Sequence, residues 1–195
     1  MNMQSIDDGE TLHIRGYDVR VRIEYDADGG LPWKNCDGMG VIRETRDQRN
    51  KHAGERPFGS CYMFDVRATT IEAKRDCWGV GAEAEAELAK KLGRTPTAAQ
   101  ITAEAVERQY QYLRDWANDM WQYHGYVVTL MDGTEESGHE DSCWGFEYWL
   151  FDDEKNAYFY DEIRGAAEAL VREAEKEATE RRYWESRDVC TEVAA

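Results

Sequence analysis

Residues 97–125 carry the clearest helical pattern in the chain, and this segment constrains the possible folds more than any other. Thr97 is a good N-cap and Gly125 a good stop signal. About 27 residues of helix would span roughly 40 Å, so we expect this helix to be the spine of the fold. The apolar side chains on its predicted inner face are Ile101, Ala105, Tyr112, Leu113, Trp116, Met120 and Tyr123.

Three segments show the patterns that predict β-strands. Residues Tyr17–Tyr25 alternate between apolar and charged, which predicts a half-buried antiparallel strand, preceded at Gly16 by a bulge or a turn. The segments "YVVTLMD" and "SCWGFEYWLF" predict an antiparallel pair joined by a long acidic turn, "GTEESGHED". On the second strand of the pair, the core face is expected to hold Trp144, Phe146, Tyr148 and Leu150, and the other face Cys143, Gly145, Glu147, Trp149 and Phe151.

Three further helices are predicted from caps and apolar spacing. One runs from Asp65 to about Trp78, a second covers residues 82–92 and stops at Gly93, and a long one runs from about Ala157 to Glu185. Strands and helices of this kind make an α+β domain. The expected fold is therefore a small antiparallel sheet of about three strands, packed against two long helices and two short ones.

The length of 195 residues fits one domain, and the hydrophobic content of 42% is enough for a real core. We therefore expect a single α+β domain over residues 1–185. Residues 26–60 show no periodicity and predict a long loop, while residues 186–195 predict a frayed tail. No run approaches eighteen apolar residues, so no membrane-spanning helix is expected.

Acidic residues are concentrated in one part of the chain. The net charge is −16, and between Arg114 and Lys155 forty residues carry eleven acids and no base. Direct binding to DNA is not expected, because contact with phosphates needs a basic face. An anionic membrane surface would repel the chain as well. A plain solubility device would be spread more evenly along the sequence.

Two interpretations of the acidic segment stay open. It forms either a solvated acidic face, or a surface whose carboxylates imitate DNA phosphates and occupy the basic groove of a nucleic-acid-binding protein. Exposed aromatic residues ringed by acids resemble a protein-binding patch, although a helix lying over both faces of the strand would bury them. The candidate partner-binding residues are Asp115, Asp119, Asp132, Glu135, Glu136, Glu140, Asp141, Glu147, Trp149, Phe151, Asp152, Asp153 and Glu154.

Metal and cofactor sites are not expected from the sequence. Cys36, His52, Cys61 and Cys77 lack the close spacing of a zinc knuckle. The acidic turn over residues 132–141 does not match the alternating ligands of a calcium loop. The glycine pairs in "GMG" and "GVG" lack the third glycine of a dinucleotide-binding loop. An odd number of cysteines without a secretion signal predicts free thiols in a cytoplasmic protein.

Catalytic motifs are not apparent in the sequence either. It contains no G-x-S-x-G nucleophile elbow. His124 is predicted to end a helix and His139 to lie in a polar turn, positions at which histidines more often cap or face water than act as bases. Glu140 and Asp141 are adjacent acids in the same turn, and such pairs usually face water. We therefore do not expect an enzyme.

The segments "RGYDVRV", "PWKNCDGMG", "YLRDWANDMWQYHGYVVTL" and "SCWGFEYW" together resemble a group of small proteins from bacteriophages and prophages with no established activity. The resemblance covers about residues 11–180. In that group the Pro-Trp loop and the Leu-Arg-x-Trp helix recur, and this chain keeps Pro32–Trp33 and Leu113–Trp116. Small acidic phage proteins without catalytic motifs are often inhibitors of host defence, and anti-CRISPR and anti-restriction proteins are the nearest classes.

The first hypothesis is a phage-encoded, anti-CRISPR-like inhibitor in the host cytoplasm. Its acidic surface would bind a basic nucleic-acid-binding host protein or complex, with Trp149 or Phe151 as an apolar anchor. An alternative is a structural or regulatory phage protein that associates with itself or with a phage partner. A third hypothesis is a small hydrolase or transferase with an unrecognised site. The chain is expected to be a monomer or a homodimer, without a membrane partner or a cofactor.

Overall fold

A computed structural model describes residues 5–192, with side chains through residue 185. Within these residues the chain forms five helices and two antiparallel sheets, which confirms the predicted α+β class. The internal contacts divide the chain into unit 1, Met1–Asp28 with Gln122–Ala195, and unit 2, Gly29–Trp121. The single domain over residues 1–185 stays a prediction.

Helices and strands alternate irregularly along the chain. In chain order they are β1 (Thr11–Ile14), β2 (Tyr17–Tyr25), α1 (Pro32–Asn35), β3 (Ile42–Glu44), β4 (Glu55–Phe58), β5 (Tyr62–Asp65), α2 (Val66–Arg75), α3 (Ala82–Leu92), α4 (Ala98–Ala117), β6 (Trp121–Asp132), β7 (Glu135–Trp149) and α5 (Ala157–Glu192). Helix α5 continues through residues 186–192, part of the predicted frayed tail. Residues 193–195 of that tail lie outside the described residues.

Unit 1 consists of a four-stranded sheet, in the order β1-β2-β6-β7, and helix α5 on one of its faces. Strand β2 has the predicted bounds, and the predicted turn before it is a two-residue hairpin turn in which Arg15 and Gly16 both have positive φ. Burial of aliphatic side chains between sheet and helix stabilises the unit. The fully buried residues of this core include Val19, Val21, Val128, Ile163, Ala167 and Val171.

Helix α4 begins at the predicted residue and ends earlier than predicted. The Thr97 hydroxyl accepts the backbone N–H of Gln100, whose side chain accepts the backbone N–H of Thr97, so both halves of a capping box are present. The helix ends at Ala117, and the predicted continuation to Gly125 is wrong. Asp119 has φ +55°, which breaks the helix, and the residues of β6, which begins at Trp121, pair with β2 from His124 onwards. Their backbone groups find partners in the sheet, so helical spacing does not decide the structure there.

The predicted loop over residues 26–60 contains short elements. It holds α1, β3 and β4, and the two strands flank β5 in a second antiparallel sheet with the order β3-β5-β4. The expectation of about three strands in one sheet is therefore wrong, because residues 5–192 form seven strands in two sheets. Strands of three or four residues are too short to show a period of two.

Unit 2 packs its small sheet against α2 and α4. Its core contains Phe58, Phe64, Ala73, Val106 and Leu113. Beside this core the ring of Trp33 lies edge-on to Trp116, with 5.3 Å between ring centroids. Edge-to-face packing of this kind adds about 0.5–1.5 kcal/mol to simple burial. The Pro-Trp segment and the Leu-Arg-x-Trp helix therefore meet in one aromatic cluster.

Glu55 joins two strands of unit 2 through a buried carboxylate. The carboxylate accepts hydrogen bonds from Arg43 at 2.8 and 2.6 Å and from the backbone N–H of His52 at 2.6 Å. The hydrogen bonds from Arg43 are the main reason that the pKa of Glu55 is lowered from 4.5 to about 2. A carboxyl group with a lowered pKa stabilises the fold above its unfolded pKa of 4.5, and this stabilisation is lost as the pH falls towards 2.

We expect Glu55→Gln to lower the melting temperature near neutral pH. The difference from the unchanged protein should shrink as the pH falls from about 5 towards 2, because the carboxyl group takes up a proton near pH 4.5 in the unfolded chain and only near pH 2 in the folded protein. Thermal melts of both proteins across this pH range measure the effect. A difference that is constant with pH would show that the ionised Glu55–Arg43 pair does not contribute.

Candidate protein-binding surface

The acidic segment forms the hairpin of β6 and β7. Only Gly133 and Thr134 lie between the two strands, and the positive φ of Gly133 suits a tight hairpin turn. The predicted long turn "GTEESGHED" is therefore wrong, because residues 135–141 belong to β7. Residues 135–141 have charged and polar residues where a half-buried strand has apolar ones, so the sequence pattern does not predict a strand there. His139 likewise lies in a strand and not in a turn, and His124 lies in a strand and not at a helix end.

Strand β7 is an edge of its sheet and carries five of the candidate acids. It is the last strand in the order β1-β2-β6-β7, so only one of its two sides pairs with another strand among the described residues. Charged residues on an edge strand are a known protection against pairing with other chains. The exposed carboxylates of this strand are Glu135, Glu136, Glu140, Asp141 and Glu147, and Asp132 at the end of β6 is exposed beside them.

Most of these hairpin carboxylates lack basic partners. Within the part of the chain whose side chains are described, no ion pair involves Asp132, Glu135, Glu136, Glu140 or Asp141. The acids of α5 differ in this respect. Asp161, Glu168 and Glu175 lie 3.2, 3.5 and 3.3 Å from arginine nitrogens. These hairpin acids therefore lack the arginine partners that three acids of α5 have.

The two units differ completely in charge. Unit 1 contains 26 acidic and 10 basic residues, whereas unit 2 contains 14 of each. The whole net charge of −16 is thus located in unit 1. A general requirement for solubility does not explain such a division, because a plain solubility device would be spread over both units.

Gly145 interrupts the alternation of side chains along β7. Its φ of +88° reverses the faces on which the neighbouring aromatic residues lie. Phe146 and Tyr148 pack against Phe159 of α5, at centroid distances of 5.1 and 5.5 Å. Trp144 instead lies over Gly125 on the opposite face and is 45% exposed. The prediction that Trp144 shares the core face with Phe146 and Tyr148 is therefore wrong.

The contact between Trp144 and Gly125 gives a test of this arrangement. A methyl group at position 125 would overlap the ring of Trp144 and approach the carbonyl oxygen of Cys143 to 2.8 Å. We expect Gly125→Ala to destabilise unit 1 by about 1–3 kcal/mol, as overpacking usually does. Gly165→Ala is the matched control, because Gly165 lies in α5 with open space around it. It should stabilise the protein by about 0.5–1 kcal/mol, and urea denaturation measures both changes.

Residues 150–156 connect β7 to α5 in a loop whose two ends are held by hydrogen bonds. The side chain of Asn156, which is 1% exposed, donates to the carbonyl oxygen of Trp149 and accepts its N–H, both at 2.8 Å. The hydroxyl of Tyr160 donates to Asp153 at 2.9 Å. Sequence analysis does not identify Asn156, because one asparagine before a helix carries no signal for such a contact.

The two aromatic residues predicted as anchors lie near this loop, and their environments differ. Trp149 is half-buried, and the ammonium group of Lys155 lies 3.4 Å from the centre of its ring. Phe151 is 79% exposed, the largest value among the large hydrophobic residues described. Asp152, Asp153 and Glu154 follow directly, and Asp152 forms a salt bridge with Lys155 at 3.6 Å. The loop therefore presents an apolar side chain next to carboxylates.

The remaining two candidates, Asp115 and Asp119, belong to unit 2. Asp115 is half-buried in α4, and its carboxylate lies 3.6 Å from Arg114. Asp119 is exposed and follows the end of that helix. These two acids are thus not part of the hairpin that carries most of the others.

Two titratable side chains described for unit 1 have pKa values shifted by burial. Burial lowers the pKa of His124, which packs against Tyr148. Burial also raises the pKa of Tyr126 to about 12. His139 lies 3.6 Å from Glu177 at the side of a cavity of about 470 Å³, but both side chains are solvated. No cluster of three potential metal ligands occurs within the described residues.

Comparisons with protein-family models, with curated proteins and with solved structures each find no match for this chain. Of the helices that the structure describes, none has the length and apolarity needed to cross a membrane. Four cysteines, Cys36, Cys61, Cys77 and Cys143, are free and exposed, while the side chain of Cys190 lies outside the described residues. The functional inference therefore depends on the charge and geometry of the hairpin and its following loop.

Proposed function

We propose that unit 1 binds the basic, nucleic-acid-binding face of a host defence protein or complex and thereby inhibits it, as a phage-encoded protein of the anti-CRISPR kind. The observation that carries this proposal is the location of the whole net charge in unit 1, with carboxylates free of ion pairs along the first part of β7. Complementary fields accelerate association and select partners by charge. A bound acidic hairpin would repel DNA from the same face.

The spacing of the carboxylates favours attraction through the field over imitation of single phosphates. Strand β7 carries five acids in 15 residues. At about 3.4 Å per residue, this gives roughly one charge per 10 Å, whereas duplex DNA carries one per about 1.7 Å of its axis. The strand therefore acts as an acidic patch on a rigid support. Its resemblance to DNA lies in the sign of the charge and in its rigid presentation.

Association of two copies through the β7 edge is disfavoured by the same charges. Pairing of two such strands would place unneutralised carboxylates of both copies side by side, and like charges directly opposite one another destabilise a sheet. The structural or regulatory alternative would therefore need another surface. We also propose that the protein acts in the host cytoplasm.

Inhibition of nucleic-acid-processing enzymes tests the proposed function. Purified protein is added to Cas9–guide RNA complexes and, separately, to type II restriction endonucleases before their target DNA. We expect slower cleavage by at least one of them, less inhibition at high salt, and relief by excess DNA. Binding of duplex DNA by the protein itself, measured by gel shift, should be negligible at physiological salt. Full cleavage by every enzyme at low salt would contradict the proposal.

A further inference from the structure

The loop between β7 and α5 exposes two neighbouring apolar side chains. Phe151 is 79% exposed and Leu150 is 44% exposed. Single exposed apolar residues are common on protein surfaces and need no explanation. Two adjacent ones of this size in a seven-residue loop, followed by three acids, form an apolar projection within an acidic surrounding.

The projection is ordered before any partner is bound. Asn156 fixes the backbone of Trp149 on one side of the loop through two hydrogen bonds, and Tyr160 holds Asp153 within it. The backbone N–H of Lys155 also donates to Asp152 at 3.3 Å. A loop that is already ordered loses little conformational entropy on binding, so its contacts contribute more fully to affinity.

Trp149 is the less suitable anchor of the two aromatic candidates. Its ring is covered by Lys155, and its backbone is held by Asn156. Its contacts therefore stabilise the loop itself. Phe151 has no comparable cover among the described side chains, and a partner that encloses it would remove most of its surface from water.

We propose that Leu150 and Phe151 are a preorganised anchor that inserts into an apolar pocket of a protein partner whose surrounding surface is basic. The acids that follow Phe151 supply the charge complementarity, and the same acids disfavour insertion into an anionic lipid surface. This inference rests on the proposed function, because it takes from that function the basic character of the partner. The apolar contact of Leu150 and Phe151 determines the rate of dissociation from the partner, whereas the hairpin acids determine the rate of association.

A peptide library displayed on phage tests the anchor without knowledge of the natural partner. The library is selected on the immobilised full-length protein, and enriched sequences are synthesised as free peptides. We expect them to combine apolar residues with lysine or arginine. Phe151→Ala should raise the off-rate of these peptides by about tenfold or more, while the on-rate changes by less than about twofold.

Tyr25→Ala is the matched control, since Tyr25 is another aromatic residue of unit 1 and is 60% exposed. It should leave both rates unchanged, and both variants should keep the melting temperature of the parent. The anchor would be overturned if enriched peptides dissociated from Phe151→Ala no faster than from Tyr25→Ala, or if the selection enriched no peptide.

Binding of the protein to liposomes of anionic phospholipid through Phe151 would assign the loop to membranes instead. Because the cleavage assays use separate targets, they can fail while the anchor stands, and the reverse also holds.

Discussion

Phe159→Ala is expected to destabilise unit 1 by about 3–5 kcal/mol, the usual cost of removing a fully buried phenylalanine. Phe159 is 2% exposed, and its ring contacts those of Tyr126, Phe146, Tyr148 and Tyr160 at centroid distances of 5.1–6.2 Å. Urea denaturation followed by far-ultraviolet circular dichroism measures the change in free energy of unfolding.

Trp144→Ala is the matched comparison, because it also removes a large aromatic side chain from the same unit. Trp144 is half-exposed and covers Gly125 on the sheet face opposite Phe159, so we expect a loss of only about 1 kcal/mol. Strict alternation along β7 would instead place Trp144 in the core together with Phe146. Equal losses for the Trp144 and Phe159 variants would therefore contradict the reversal of faces at Gly145.

The elements predicted correctly are those whose local pattern and tertiary surroundings agree. Strand β2 alternates along its whole length, and α3 ends at Gly93, which has the left-handed conformation that glycine favours. The N-cap of α2 by Asp65 and that of α4 by Thr97 are recognisable from residue type alone. At these positions side chain and backbone preferences point to the same structure, so a single sequence is sufficient.

The incorrect predictions have specific physical causes. Helical spacing continues to Tyr123, but β6 begins at Trp121, and from His124 onwards its backbone groups pair with β2, which is distant in sequence. The first half of β7 carries acids and glycine where a half-buried strand would carry apolar residues, and the pairing with β6 forms it nonetheless. The glycine at 145 is visible in the sequence, but its positive φ depends on the packing of the aromatic residues around it.

The candidate surface is only partly accessible to sequence reasoning. The sequence alone shows the concentration of acids without bases, and the candidate residues around the hairpin are predicted from that concentration. The lack of ion pairs there and their presence on α5 require side-chain positions, because both segments are rich in acids. The distinction between Trp149 and Phe151 also requires the structure, since it depends on the cover by Lys155 and on the hydrogen bonds of Asn156.

Removing the four acids of β7 that form no ion pair with any described side chain is expected to slow association with any inhibited enzyme by about tenfold or more. The variant combines Glu135→Gln, Glu136→Gln, Glu140→Gln and Asp141→Asn. Steering by charge contributes roughly 10–10³-fold to association rates, and the contribution falls with ionic strength. Stopped-flow measurement of the on-rate at several salt concentrations should show a smaller rate and a shallower salt dependence. The melting temperature should stay the same or rise slightly, because mutual repulsion is relieved.

A second variant with the same change in net charge separates the site from the charge of the whole molecule. It replaces four acids of unit 1 that pair with arginines, namely Glu24, Asp161, Glu168 and Glu175. At physiological ionic strength the Debye length is about 8 Å, so charges outside the contact region influence association only weakly. We expect the on-rate of this control to fall by less than about threefold. Equal losses in the two variants would mean that overall charge drives association, and unchanged rates in the β7 variant would leave the hairpin as a solvated acidic face.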